Sequence, residues 1–66
     1  MNDPALLAHR LLELRTEHRD LDVLIDRLGR EQGLDQLAMT RMKKRKLRLK
    51  DEIVWYESRL IPDLDA

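Results

Sequence analysis

Apolar residues recur along the chain at alternating steps of four and three, in two series. The first series consists of Leu7, Leu11, Leu14, His18, Leu21, Ile25 and Leu28. The second consists of Met39, Met42, Lys46, Leu49, Ile53, Tyr56 and Leu60. An α-helix brings such positions onto one face, whereas a strand requires strict alternation, which is sustained nowhere in this sequence. The pattern therefore predicts an all-α protein built from two amphipathic helices.

Capping and breaking residues set the expected bounds of these helices. Asp3 is suited to cap the first helix, and Pro4 to occupy its first position, where the missing N–H costs nothing. Gly33 supplies a stop because it takes the left-handed conformation cheaply, and Asp35 caps the second helix. Pro62 disfavours helix at the residue before it. The sequence predicts a single domain with helix 1 over about 4–31, a turn over about 32–35, helix 2 over about 36–61 and an acidic tail over 62–66.

A connection of a few residues makes two long helices antiparallel neighbours, so we expect a coiled-coil-like hairpin. Each apolar series has one polar member near its middle, His18 in the first and Lys46 in the second. If the turn centres near Gly33, these two residues lie within a turn of one another. We interpret them as a polar layer that fixes register, with His18 hydrogen-bonded to a carboxylate. A pH-sensitive contact is the alternative for His18. A metal site is not expected, since His9 points to a different face.

A second apolar stripe follows helix 2 at every seventh residue, through Leu47, Val54 and Ile61. It lies roughly 120° from the first series, so one partner helix cannot cover both. We expect the stripe to pack against a second copy, giving a self-associating helical bundle with the dimer as the simplest state. Scattered surface apolar residues are the alternative. Trp55 also lies away from the seam, either packed under arginine side chains or anchoring another protein.

The thirteen Lys and Arg residues balance the thirteen Asp and Glu residues, but they are unevenly placed. Residues 41–50 contain seven cations and no acid, and in the hairpin they face residues 17–26, which hold four acids and one base. Residues 51–61, with three acids and one base, face residues 6–16, with two bases and one acid. The signs match in both halves, so the hairpin is expected to pair charges across the seam.

The basic run exceeds the acids that face it. Lys43, Lys46 and Lys50 are placed to approach the acids of helix 1. The cations expected to point outward, and to be available to a ligand, are Arg41, Lys44, Arg45 and Arg48. Four such cations support weak, salt-dependent contact with nucleic acid. The run contains no aromatic residue that stacks on bases and no Gly-rich phosphate loop.

Reactive chemistry is not expected. The chain has no cysteine, which excludes disulfides and fits a reducing compartment. It has no nucleophile–base pair, metal cluster or P-loop, and two helices alone offer no concave pocket of ligand size. We therefore expect no catalysis, no cofactor and no small-molecule substrate. The apolar runs are too short to cross a bilayer and no signal peptide is evident, so a cytoplasmic protein without a membrane partner is expected.

Two blocks of the sequence resemble a known family. The first is Glu17-His18-Arg19-Asp20-Leu21-Asp22, and the second runs from Met42 to Ile53 and includes Lys46-Leu47-Arg48-Leu49-Lys50-Asp51-Glu52. Both are similar to the YdcH-like family of small bacterial proteins. The positions that match the family pattern are His18, Asp22, Lys43, Lys46, Leu47, Leu49, Lys50, Asp51 and Glu52. The resemblance implies a helical hairpin that often self-associates. It implies no activity, because the family is a domain of unknown function.

Together these observations predict a small non-catalytic structural or adaptor protein that acts through self-association and contact with another protein. The alternative is a weak, salt-dependent nucleic-acid-binding accessory protein that uses the outward cations of helix 2.

Overall fold

The computed structural model describes residues 3–31, 33 and 35–60. Helix α1 spans Pro4–Leu28 and helix α2 spans Gln36–Leu60, each 25 residues long. The two helices pack side by side along their length, and the described residues contain no strand. The predicted all-α hairpin is confirmed. The predicted tail and Ile61 lie outside the described residues.

Both helices begin at the expected capping residues. The Asp3 carboxylate accepts a hydrogen bond of 2.9 Å from the backbone N–H of Ala5. The Asp35 carboxylate accepts one of 2.9 Å from Leu37 and a longer one of 3.4 Å from Ala38. Each cap satisfies N–H groups that have no partner within the helix.

The end of α1 differs from the prediction, since the helix stops at Leu28 rather than near residue 31. The N–H of Gly29 still donates to the Ile25 carbonyl, at 2.9 Å. The next two N–H groups, of Arg30 and Glu31, donate to carbonyls three residues back, at 3.1 Å each. Glycine at position 29 weakens the helix, and the chain tightens into a turn there. Gly33 then adopts a φ of 76°, the left-handed conformation expected of it.

The core is a single seam between the helices. Its buried residues all belong to the two predicted series: Leu7, Leu11, Leu14, Met39, Leu49 and Ile53. Leu14 is fully buried, with 0% of its surface exposed. The half of the seam near the turn is looser, because His18, Leu21 and Lys46 there are only half-buried, although Met39 is buried. Packing is therefore concentrated in the half of the hairpin away from the turn.

The hairpin exposes much more surface than a globular chain of its mass. It measures 49 × 22 × 17 Å, and its radius of gyration is 15.2 Å, against about 11 Å for a compact chain of this length. Its accessible surface is 5714 Å², against roughly 4,400 Å² for a globular protein of 7.9 kDa. Each helix covers only one face of the other.

Candidate functional site

Two ion pairs join the helices along one side of the seam, which we call the tight flank. Arg15 contacts Glu57 at 2.6 Å, and Lys46 contacts Asp22 at 2.8 Å. Both contacts are hydrogen bonds as well as ion pairs. The cations of the tight flank are therefore held by acids of the opposite helix.

Two further pairs join the helices on the other side, which we call the groove flank. Arg10 lies 4.0 Å from Glu52, and Arg45 lies 3.8 Å from Glu17. These separations exceed hydrogen-bonding distance, so the groups attract one another without a direct bond. Arg45 is exposed, as predicted, but it has an acid of α1, Glu17, beside it.

All four pairs follow the predicted distribution of charge. Near the turn the acid is on α1 and the cation on α2, as in Asp22–Lys46 and Glu17–Arg45. Near the other end the order is reversed, with arginine on α1 and glutamate on α2. The matching of opposite charges in the two halves of the hairpin is confirmed.

The predicted polar layer contains a third member, Asp22. The hydrogen bond and the charge of Lys46 lower the pKa of the Asp22 carboxyl below its usual value, partly opposed by desolvation and with a small contribution from His18. His18 is half-buried. Among the described residues no carboxylate is hydrogen-bonded to His18, contrary to expectation, because Asp22 points to Lys46 instead. Asp22 could have been predicted from the sequence, because it follows His18 by four residues and Lys46 faces this part of α1.

Of the three lysines expected to approach α1, only Lys46 does so. Lys43 and Lys50 are exposed, and no acid of the described part of α1 lies within 4 Å of either. Both lie toward the back of α2, where their ammonium groups meet solvent.

The outward cations converge on a groove of about 410 Å³ along the groove flank. Its cationic lining residues are Arg10 from α1 and Arg41, Lys44, Arg45 and Arg48 from α2. Glu17, Glu52 and Leu49 complete its lining. The expectation that two helices form no concavity of ligand size was wrong. Long side chains that rise from both helices beside the seam form the walls, and Arg10 was not among the predicted residues.

Trp55 lies on α2 seven residues after Arg48, so it follows the same side of the helix two turns further on. The Arg59 guanidinium lies over its ring, 4.3 Å from the centroid. Tyr56 meets the ring edge to face at 4.9 Å. The indole nevertheless remains 45% exposed. Packing under an arginine and anchoring another protein therefore both stay open for Trp55, because the ring lies under Arg59 and is also partly exposed.

Leu47 and Val54 lie on a face of α2 roughly 120° from the seam, which we call the back of α2. They are 62% and 52% exposed, so the described residues leave both largely uncovered. The third predicted member of this stripe, Ile61, lies outside the described residues. Other exposed apolar side chains are distributed over both helices: Leu6, Leu12, Val23, Leu24 and Leu37.

Among the described residues there is no cluster of His, Cys, Asp or Glu able to hold a metal ion. Within the same residues, neither helix is long and apolar enough to span a membrane.

The described residues define a charge-paired helical hairpin with a basic groove along one flank and with Leu47 and Val54 exposed on the back of α2. The chain matches the family described as protein of unknown function (DUF465) over residues 11–57. The protein belongs to this family, which confirms the resemblance to the YdcH-like proteins. No curated protein matches the chain, and no solved structure matches it either. The matched residues include the groove cations of α2 and the back of α2, but not Arg10.

Proposed function

We propose that this hairpin is a non-catalytic structural or adaptor protein that works as a dimer, in which a second copy covers the back of α2. The observation that carries the proposal is the exposure of Leu47 and Val54, seven residues apart in line along the back of α2. Burial of such side chains contributes about 25 cal/mol per Å² of apolar surface removed from water.

The accessible surface of the hairpin is large enough for an interface with a second copy. This surface exceeds that of a globular protein of equal mass by roughly 1,300 Å². A stable protein–protein interface covers about 800 Å² on each partner. A dimer therefore has enough surface to bury without disturbing the seam. The chain also has a net charge of +0, so two copies meet without overall electrostatic repulsion.

The sequence on the back of α2 is complementary to itself in an antiparallel arrangement. With a two-fold axis between residues 50 and 51, Leu47 of one copy faces Val54 of the second copy. Lys50 then faces Asp51 of the second copy, which pairs opposite charges twice about the axis. A two-fold interface requires this reciprocity, in which each contact occurs twice.

The proposal involves no catalytic step, cofactor or small-molecule substrate. It puts the protein in a reducing compartment such as the cytoplasm, where a chain without cysteine loses no stabilising crosslink.

Disulfide trapping tests the dimer, because the chain has no cysteine of its own. We expect chains carrying Leu47→Cys, mixed with chains carrying Val54→Cys and oxidised, to form the mixed dimer, identified by intact mass. In this arrangement the two positions 47 of a dimer are separated by about 10 Å along the helix axis. Leu47→Cys chains alone should therefore crosslink poorly. Leu12→Cys is the matched control, because Leu12 lies on a face of α1 away from the seam and is 64% exposed. No crosslinked product, or equal crosslinking of the control, would contradict the proposal.

A further inference from the structure

The two flanks of the hairpin differ in how firmly they hold their cations. On the tight flank both cations are hydrogen-bonded to acids at 2.6 and 2.8 Å. On the groove flank the two pairs are 3.8 and 4.0 Å long. Because exposed ion pairs at such distances contribute little, these cations lose little when another anion replaces the carboxylate. The cations of the groove flank are therefore more readily available to a ligand than those of the tight flank.

Further cations in the groove have no acid beside them. Arg41, Lys44 and Arg48 have no carboxylate within 4 Å among the described residues. With Arg10 and Arg45 they make five cations in a groove whose described lining includes two acids, Glu17 and Glu52. The groove therefore has a local excess of three positive charges, although the whole chain is neutral.

Trp55 extends this side of α2, and it remains 45% exposed although the Arg59 guanidinium lies over its ring. From Arg41 to Trp55 the helix rises about 21 Å. Cations followed by an accessible indole are the two components that bind single strands, because the backbone phosphates contact the cations and an unpaired base stacks on the ring. A duplex offers the phosphates but no free base.

We propose that the groove flank binds single-stranded nucleic acid, with Arg41 and Arg48 contacting phosphates and Trp55 stacking on a base. Arginine suits this contact because its planar fork donates two hydrogen bonds to one phosphate. An acidic protein segment would satisfy the cations equally but gives no reason for an accessible indole at the end of the groove. The site is independent of the proposed dimer, since the back of α2 lies on a different face.

The charge of the groove sets the expected salt dependence. If three to five phosphates are neutralised, the logarithm of the binding constant falls against the logarithm of salt concentration with a slope of roughly −2 to −3.5 for a single strand. Binding is therefore expected to be measurable at low salt and weak at physiological salt.

The test uses fluorescence anisotropy of labelled oligouridine and oligothymidine, with a duplex of equal length as the third arm. The variant Arg41→Gln/Arg48→Gln removes two groove cations. The matched control, Arg19→Gln/Arg27→Gln, removes two exposed arginines from α1 outside the groove. Circular dichroism and sedimentation of each variant verify that the hairpin and its oligomeric state are unchanged.

We expect the groove variant to bind about 25-fold more weakly than the native chain at about 0.1 M salt, with its slope reduced by about 1.4. The control variant is expected to bind nearly as well as the native chain. Oligouridine and oligothymidine should both bind, because each offers backbone phosphates and unpaired bases. The single tryptophan provides a second readout, since stacking should quench its emission reversibly with salt.

Glu17→Gln/Glu52→Gln provides the opposite change, because it removes the two acids that compete with phosphate. We expect tighter binding from this variant. The proposal is overturned if the native chain does not bind at low salt, or if the control variant loses as much affinity as the groove variant. It is equally overturned if the duplex binds as tightly as the single strands without any change in tryptophan emission.

Discussion

Replacing Leu14 by alanine tests the seam at its most buried point. Leu14 has 0% of its surface exposed, and among the described residues five other hydrophobic side chains are buried. The substitution removes three carbon atoms, worth about 0.8 kcal/mol each in lost burial, and leaves a cavity that adds to the cost. We therefore expect a loss of about 3 kcal/mol in the free energy of unfolding. A single core in a domain this small supplies about 3–5 kcal/mol, so most of the stability is lost.

The assay is urea unfolding followed by far-ultraviolet circular dichroism, at one protein concentration because association adds to apparent stability. With an m-value of about 1 kcal/mol/M for a small domain, the midpoint falls by about 3 M, or the variant is unfolded without urea. Leu12→Ala is the matched control, two residues away and 64% exposed in the native leucine. Its effect should stay within about 0.5 kcal/mol. Equal losses at Leu12 and Leu14 would refute the orientation of α1.

Three further predictions follow from local geometry and can be checked by the same unfolding assay. Gly33→Ala should destabilise the hairpin by about 1–2 kcal/mol because φ is 76° there, whereas Gly29→Ala, at a φ of −63°, should cost less; the reverse order would show the turn to be wrong. Asp35→Ala should cost about 1 kcal/mol through loss of the cap of α2, and an unchanged midpoint would contradict the cap. Because Lys46 lowers the pKa of Asp22 in the folded state, the carboxylate stabilises the fold above its unfolded pKa of about 3.9, and this contribution is lost as the pH falls through the lower folded value. Asp22→Asn should therefore reduce the drop in the urea midpoint between neutral and acidic pH, and an equal drop in both chains would exclude the contribution of Asp22.

The seam could be predicted from the sequence because each helix has only one neighbour. Burial is then set by the angle around the helix, and the four-and-three spacing records that angle directly. In the part of the chain that the structure describes, all the buried residues, from Leu7 to Ile53, are members of the predicted series. The charge pairing was predictable for the same reason, since antiparallel neighbours with a short turn leave only one register.

The groove and the end of α1 depend on information that periodicity does not contain. The groove could be predicted only with the knowledge that Arg10 and Glu52 meet on the groove flank, whereas Arg15 and Glu57 meet on the tight flank. The residue numbers of the former pair sum to 62 and those of the latter to 72, so a single facing rule cannot separate the flanks. Helix α1 ends at Leu28, the last member of the apolar series, because Gly29 follows it. The prediction extended past Gly29 because a single glycine is tolerated inside a helix and does not by itself mark an end.

We propose that a second copy covers Leu47 and Val54 on the back of α2. Sedimentation equilibrium over the micromolar range tests for this dimer. We predict a native mass near twice 7.9 kDa, returning to that of one chain in Leu47→Glu/Val54→Glu while the helical signal is retained. A native chain that sediments as a monomer throughout that range would contradict the claim.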